Sequence, residues 1–244
     1  MTTDMITQMT AQMTAQKTAQ KTAQLDEDTL LGGWLTWLPS LLDGLWLSVG
    51  VAAASLVLGV PLGLALALLM SAKHKWVRVL AIVVVEVGRG TPALVMIKIV
   101  YFGLPTAGIT VGSFVAALVA LALTTGAYTS EILRAGLQAV PHGEVEASEA
   151  LAMSNRDTLR FIVIPQGVRI AIPALMGFAI LIFQATALCF TIALPVLLSR
   201  AYSIGSNTFR YLDVLVLAGL LYLLITLPAG WLTSWTERRM ARHL

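Results

Sequence analysis

Residues 44–72 read GLWLSVGVAAASLVLGVPLGLALALLMSA and contain no Asp, Glu, Lys or Arg over 29 residues. Three further stretches without a charged residue have 32, 30 and 23 residues, at positions 99–130, 170–199 and 214–236. A helix needs about 20 apolar residues to cross the roughly 30 Å hydrocarbon core of a bilayer. Each stretch is long enough, so the sequence predicts an all-α integral membrane protein.

The composition of the whole chain points the same way. Of 244 residues, 57% are hydrophobic and 12% are charged, whereas soluble domains have about 25% charged residues. The single Cys189 excludes a disulfide scaffold and a multi-thiolate metal site, and the three histidines are far apart, so no metal is expected. The basic residues flank the apolar stretches, which indicates membrane topology and no nucleic-acid partner.

Five transmembrane helices are predicted from these stretches. Glu86, Arg89 and Pro92 interrupt the second, whose freed backbone groups need protein or water partners, so it is expected to face other helices. Eleven Lys and Arg residues fall on one side of the predicted spans and four on the other, with Lys98 inside a span. The positive-inside rule then gives an N-out, C-in orientation. The five spans cover residues 46–70, 79–102, 111–128, 170–192 and 214–233.

The first part of the chain is of a different kind. Residues 8–24 repeat Met/Lys-Thr-Ala-Gln with a period of four, and such a polar repeat cannot bury enough apolar area to offset the entropy of ordering it. Residues 1–28 are therefore predicted to be a low-complexity, disordered tail. Residues 29–44, which contain Trp34 and Trp37, are predicted to form an interfacial elbow helix that leads into the first span.

The connection between the third and fourth spans is longer than topology requires. Residues 141–143, Pro-His-Gly, break the chain, and residues 144–153 are then expected to be helical because acidic side chains favour a helix N-terminus. Ser154 and Asp157 have the spacing of a capping box, which predicts a second short helix that stops before Pro165. A helix pair of this kind, partly apolar and on the predicted cytoplasmic face, suggests a docking site for a soluble partner.

This connection resembles a known motif. Glu146-Ala147-Ser148, Leu151-Ala152-Met153-Ser154 and Ile164-Pro165-Gln166 resemble the EAA loop of ABC-importer permeases. Over about residues 41–240 the chain is similar to the polar-amino-acid branch of the type I importers. Further matching runs are Arg89-Gly90-Thr91-Pro92, Tyr101-Phe102-Gly103-Leu104-Pro105, Gly126-Ala127-Tyr128-Thr129-Ser130-Glu131, Val140-Pro141-His142-Gly143-Glu144 and Arg169-Ile170-Ala171-Ile172-Pro173.

The resemblance implies a permease domain at residues 45–244 with its coupling loop at 140–165, in the bacterial inner membrane. It implies two ABC ATPase subunits, a second copy or a homologue of the permease, and a periplasmic or lipid-anchored binding protein, besides membrane lipid. The chain has no G-x-x-x-x-G-K-[ST] phosphate loop, so the ATPase partner is expected to bind ATP and Mg²⁺, and the chain itself is expected to be non-catalytic and to bind no cofactor. The residues implied to contact the ATPase are Glu146, Ala147, Ser148, Leu151, Ala152, Met153 and Ser154.

Two departures from the family pattern bear on these residues. Ser148 stands where the loop usually has alanine, and Ala152 stands where it usually has glycine. Because alanine is costly in a left-handed conformation, either the turn at Ala152 is right-handed and helical or the coupling helix sits differently. In the fourth span, Gln184-Ala185-Thr186-Ala187-Leu188 replaces the usual Lys-Asp/Asn-Thr-Ser-Leu.

Four residues are candidates for the substrate pathway. Lys98 lies inside the second span, where its ammonium either binds a substrate carboxylate or reaches the outer interface along its flexible stem. Gln184, Thr186 and Thr191 either line the path or make hydrogen bonds across helices or to their own backbone. The resemblance implies import of a polar amino acid, with basic amino acids or an opine favoured. The alternatives are an ion-gradient-driven secondary transporter and a membrane scaffold without transport activity.

Overall fold

The computed structural model describes residues 30–240, whose regular structure is entirely helical. The predicted tail at residues 1–28 lies outside this described part. The described residues form eight consecutive helices, and two of these helices contain π-helical or 3₁₀-helical segments. They are α1 (Leu30–Met70), α2 (Lys75–Gly90), α3 (Ala93–Thr106), α4 (Ser113–Gln138), α5 (His142–Ala150), α6 (Asn155–Ile192), α7 (Leu197–Thr208) and α8 (Tyr211–Met240).

Four of these helices, α1, α4, α6 and α8, are long and apolar enough to cross a membrane. The number rises to five if α2 and α3, which are bent by 102° relative to one another, form one broken span. The described helices therefore agree with five predicted crossings, of which the second is not a continuous helix. Which terminus faces the cytoplasm stays a prediction.

The break between α2 and α3 has a local cause. Pro92 disfavours the helical conformation for the preceding residue, and Thr91 is extended with φ −86° and ψ 122°. The Tyr128 hydroxyl donates a hydrogen bond to the Arg89 carbonyl at 3.1 Å, and the Thr91 hydroxyl donates to the Val87 carbonyl at 2.7 Å. The Arg89 carbonyl at the break thus finds a partner on α4, as a bilayer favours.

The first helix joins two predicted elements. Residues 29–44 were expected to form a separate elbow, but α1 runs without interruption over 41 residues through Pro39 and Pro61. At 1.5 Å per residue it is about 60 Å long, roughly twice the thickness of a hydrocarbon core. Either α1 is strongly tilted or one of its ends projects beyond the bilayer, so an interfacial role for its first turns stays a prediction.

The centre of the bundle is the crossing of α1 and α4. A Cβ atom added at Gly63 would clash with the Thr129 hydroxyl, and one added at Gly59 would lie 2.9 Å from the Ala122 carbonyl oxygen. Thr129, like its neighbours Leu121, Thr125 and Leu133 on α4, is fully buried. Since the two backbones approach this closely only because glycine has no side chain, the crossing is fixed by shape.

The fourth span is longer than the sequence predicted. The expected short helix ending before Pro165 is wrong, because α6 continues through Pro165 for 38 residues. A π-helical segment, Thr158–Val163, precedes the proline, which then lies in the first turn of the α-helical segment Ile164–Ala185. A missing N–H is tolerated at that position and the wider turn accommodates the ring. Thr186–Ile192 completes α6 as a 3₁₀ segment.

The sequence pattern did not indicate α7, which packs between α1 and α8. Its first amide, the N–H of Leu197, donates to the buried Ser48 hydroxyl at 3.1 Å, and the same hydroxyl donates to the Gly44 carbonyl at 2.9 Å. A side chain at Gly44 would meet the Leu197 backbone at 2.9 Å. The N-terminus of α7 is therefore attached to the first span.

Candidate functional site: the hook between the third and fourth spans

The hook, residues 139–157, leaves α4 and returns into α6. Ala139 and Val140 follow the last turn of α4, Pro141 caps α5, and α5 ends at Ala150. The Met153 N–H then donates to the Ser148 carbonyl at 3.1 Å, and the Ala152 N–H donates to the Glu149 carbonyl at 2.9 Å. This pair of bonds is a Schellman motif, which satisfies the last carbonyls of α5 while the chain reverses.

Ala152 is the left-handed residue of that motif. Its φ is +57°, which excludes the right-handed alternative for this turn. Alanine adopts this left-handed conformation at a free-energy cost of about 1–2 kcal/mol relative to glycine. The turn keeps the geometry for which glycine is suited, and the substitution of alanine leaves local strain at the tip of the hook.

Ser148, the other departure from the family pattern, has a clear structural role. It is 1% exposed, and its hydroxyl lies 2.9 Å from the hydroxyl of Thr158, which is itself buried. The Ser148 hydroxyl also lies 2.7 Å from the Val145 carbonyl, to which it donates. The pair of hydroxyls joins α5 to the first π-helical turn of α6, so the two arms of the hook are linked on their inner side.

The predicted cap of α6 is confirmed. The Ser154 hydroxyl accepts a hydrogen bond from the Asp157 N–H at 3.3 Å and donates to the Asp157 carboxylate at 2.6 Å. These two bonds cap the first turn of α6, from Ser154 to Asp157.

The outer face of α5 has no packing partner within the described residues. Glu146, Ala147 and Leu151 are exposed, Leu151 to 77%, whereas Ser148 is buried and Met153 is half-buried. The residues predicted to contact an ATPase thus divide into an outward set and an inward set. Glu146, Ala147, Leu151, Ala152 and Ser154 are exposed, Ser148 is buried and contacts Thr158, and Met153 is half-buried.

The base of the hook is tightly packed, which the sequence did not suggest. A Cβ atom added at Gly136 would clash with the Gly167 carbonyl, and one added at Gly167 would lie 2.7 Å from the Leu137 Cα. Nearby, the Gln166 amide donates to the Glu144 carboxylate at 3.2 Å. The sequence signal for Gln166 was its position in the Ile164-Pro165-Gln166 run, but the two glycines are 31 positions apart and carry no local pattern.

Of the four residues predicted for the substrate pathway, the structure brings two together. The Lys98 ammonium donates to the Thr191 carbonyl at 3.3 Å and lies 5.4 Å from the centre of the Phe102 ring. The Thr186 hydroxyl is buried and donates to the Phe183 carbonyl of its own helix at 2.6 Å. The side chain of Gln184 is exposed.

The half-buried Lys98 also lines an open cavity of about 530 Å³ on α3, together with Phe102 and other apolar residues. An ammonium that is shared between a backbone carbonyl and an aromatic ring keeps a free direction toward that cavity. No cluster of three or more His, Cys, Asp or Glu side chains that could hold a metal ion occurs in residues 30–240.

Two i,i+3 ion pairs lie near the hook and the break. Arg134 makes a bidentate pair with Glu131 at 2.6 and 3.2 Å, at the end of α4, whereas Arg89 lies 3.7 Å from Glu86. The second pair is long and solvent-exposed, so it contributes little to stability.

Comparison with known proteins gives one consistent result. The sequence profile of the family described as "Binding-protein-dependent transport system inner membrane component" matches residues 59–242. The arginine transport system permease protein ArtQ of Bacillus subtilis (strain 168) is 33% identical over 204 residues, which are 83% of this chain and 93% of ArtQ.

Other relatives agree. The octopine transport system permease protein OccM of Rhizobium radiobacter is 35% identical over 86% of this chain and 91% of its own length. A crystal structure of an amino acid ABC transporter with histidines matches with a TM-score of 0.79 at 33% identity, over 84% of this chain and 96% of that one. The MetNI methionine ABC transporter in an inward-facing conformation shares the fold, with a TM-score of 0.65 at 20% identity over 82% of this chain and 97% of that one.

Proposed function

Because the chain belongs to the family of binding-protein-dependent transport system inner membrane components, we propose that a separate ATPase drives it through the hook. The family and the relatives make it a multi-pass inner-membrane permease subunit of an ABC importer for amino acids or opines. The identity of the substrate and the coupling through the hook are the proposed parts.

The observation that carries the coupling proposal is the two-sided construction of α5. Its outer face exposes Glu146 and Leu151, while its inner face is attached to α6 by the hydroxyl pair of Ser148 and Thr158. A short helix that is exposed on one side and fixed on the other moves with the span to which it is attached. A rigid-body displacement imposed on it from outside is therefore passed to the membrane helices.

Two ATPase subunits acting on two permease subunits fit this arrangement, with each ATPase receiving one hook. ATP and Mg²⁺ are then bound in the ATPase, and a periplasmic or lipid-anchored protein delivers the substrate to the predicted outer side. The second permease subunit is a further copy of this chain or a homologue, and lipid surrounds the pair.

The proposed substrate is a basic amino acid or an opine. Relatives named for arginine, octopine and histidine/lysine/arginine/ornithine transport support this choice. In the pathway, Lys98 is suited to the α-carboxylate that all these substrates share, because an ammonium in a low-dielectric environment attracts an anion strongly. The Thr191 carbonyl, which Lys98 contacts, is the acceptor it exchanges for that carboxylate.

The coupling role is tested by reversing the charge of Glu146. In the reconstituted complex with its ATPase and binding protein, we expect Glu146→Arg to lower substrate-stimulated ATP hydrolysis and uptake by at least about tenfold, since a like charge in a complementary contact costs several kcal/mol. The matched control is Glu86→Arg on α2, whose side chain is 65% exposed and far from the hook in sequence. Unchanged hydrolysis and uptake in Glu146→Arg would contradict the proposal, and uptake by vesicles that hold the permease without any ATPase would indicate an ion-gradient-driven transporter instead.

A further inference from the structure

A cavity of about 600 Å³ opens beside the hook, where three helices meet. The first turn of α5 contributes Glu144, the first half of α6 contributes Gln166 and Arg169, and the end of α8 contributes Arg239. Its volume lies within the range of about 300–1,000 Å³ that is typical of small-molecule sites. It is separate from the Lys98 cavity, which α3 lines.

The charges around the cavity are unevenly matched. Within residues 30–240, Glu144 is the one carboxylate in its lining, and its oxygen accepts a hydrogen bond from Gln166 at 3.2 Å. Neither Arg169 nor Arg239 makes an ion pair with an acidic side chain of residues 30–240. Arg239 instead lies 5.2 Å from the Trp235 ring, a contact that leaves its N–H groups free to bind an acceptor.

This combination selects a particular kind of ligand. Two guanidinium groups present paired N–H donors in the geometry that a carboxylate accepts, which makes arginine the usual residue for carboxylate recognition. The carboxylate of Glu144, on α5, can form an ion pair with an ammonium group. A small molecule that carries both charges a few bonds apart satisfies both ends.

We propose that the cavity beside the hook binds a free α-amino acid, with its carboxylate on Arg169 and Arg239 and its ammonium on Glu144. The bound molecule joins the first turn of α5 to α6 and α8, in addition to the hydrogen bond from Gln166 to Glu144 and the Ser148–Thr158 pair that already connect α5 to α6. It therefore holds the hook against the bundle. The binding site stands without the proposed coupling role, and only the consequence for transport rests on it.

The experiment uses the permease–ATPase complex in lipid nanodiscs without the binding protein. Hydrogen exchange of residues 142–150 is followed while L-arginine is added, with agmatine, which differs by the missing carboxylate, and inorganic phosphate as comparison probes. We expect L-arginine to slow exchange in α5, and agmatine and phosphate at equal concentration to leave it unchanged. Equal protection by agmatine or by phosphate would overturn the assignment of an amino-acid site.

Variants locate the site. Arg169→Gln and Arg239→Gln should each weaken the L-arginine effect by about tenfold or more, since each removes a charge-assisted pair. Arg78→Gln, an exposed arginine on α2 outside the cavity, is the matched control and should change the midpoint less than about twofold. A midpoint that responds to Lys98→Met but not to Arg169→Gln would place the ligand in the predicted pathway and overturn the inference.

A separate readout keeps the two proposals distinguishable. Stimulation of ATP hydrolysis by the loaded binding protein reports on the proposed coupling, and hydrogen exchange of α5 reports on the cavity. Loss of stimulation in Glu146→Arg together with unchanged protection by L-arginine in Arg169→Gln would refute the cavity and leave the coupling intact. Unchanged stimulation in Glu146→Arg together with weakened protection by L-arginine in Arg169→Gln would refute the coupling and leave the cavity intact.

Discussion

The crossing of α1 and α4 is closely packed and buried, whereas the hook is mostly exposed. At the crossing, Gly59 and Gly63 let two backbones meet over fully buried threonines, and a Cβ atom added at either glycine would clash with α4. In the hook, α5 has one buried residue, Ser148, and its turn carries an alanine in a left-handed conformation. The proposed coupling needs a region that resists displacement and a region that can be displaced, and the two regions differ here in how many of their residues are buried.

The largest effect is expected at the crossing. Gly63→Ala should lower the stability of the folded bundle by about 2–3 kcal/mol, because the added methyl group clashes with the Thr129 hydroxyl in a space that cannot expand. Thermal unfolding of the detergent-solubilised protein, followed by a buried-thiol probe on Cys189, measures it.

Gly50→Ala is the matched control for that variant. It lies on the same helix with no atom within 4 Å of the added Cβ, so it should be neutral or stabilising by up to about 1 kcal/mol. Equal effects of the two substitutions would show that close packing does not define the crossing.

An intermediate effect is expected inside the hook. Ser148→Ala removes the link to Thr158 and leaves a buried hydroxyl without that partner, which should lower the local stability of α5 by about 1–2 kcal/mol. Hydrogen exchange of α5 should become faster, while global unfolding should change much less.

The double variant sharpens this prediction. Ser148→Ala combined with Thr158→Val should cost less than the sum of the single changes, since the two hydroxyls depend on one another. Strict additivity would indicate that the contact contributes nothing.

The smallest effect has the opposite sign. Ala152→Gly should stabilise the turn by about 1 kcal/mol, because glycine adopts a φ of +57° without the clash of a Cβ atom. Ala150→Gly, two positions earlier in the right-handed last turn of α5, should destabilise by about the same amount. Exchange of the α5 amides distinguishes them, and a loss of protection in Ala152→Gly would contradict the assigned strain.

The charge-free stretches predicted the spans because each charged residue inside a bilayer costs free energy by itself, so its absence can be read directly from the sequence. The cap at Ser154 and the break before Pro92 were predictable for a related reason, since both depend on neighbours within three residues. The contact between Ser148 and Thr158 depends on how a turn folds back, and the passage of α6 through Pro165 depends on a π-helical segment that no local pattern signals. Gly136 and Gly167 meet only after the bundle has formed, so their role is invisible in the linear sequence.

Because α6 is continuous, the end of the hook and part of the predicted substrate pathway lie on one helix. Thr158 lies near its first turn, Gly167 sits against Gly136 nine residues later, and Thr191 lies 24 residues beyond. If the contact between Gly136 and Gly167 acts as a fulcrum, the distance along α6 is about 14 Å from Thr158 to Gly167 and about 36 Å from Gly167 to Thr191, at 1.5 Å per residue. A displacement of 1 Å at the short end then becomes about 2.6 Å, in the opposite direction, beside the lysine that Thr191 contacts. Under the proposed coupling, a small displacement of the hook would be enough to separate the Lys98 ammonium from its carbonyl acceptor on Thr191.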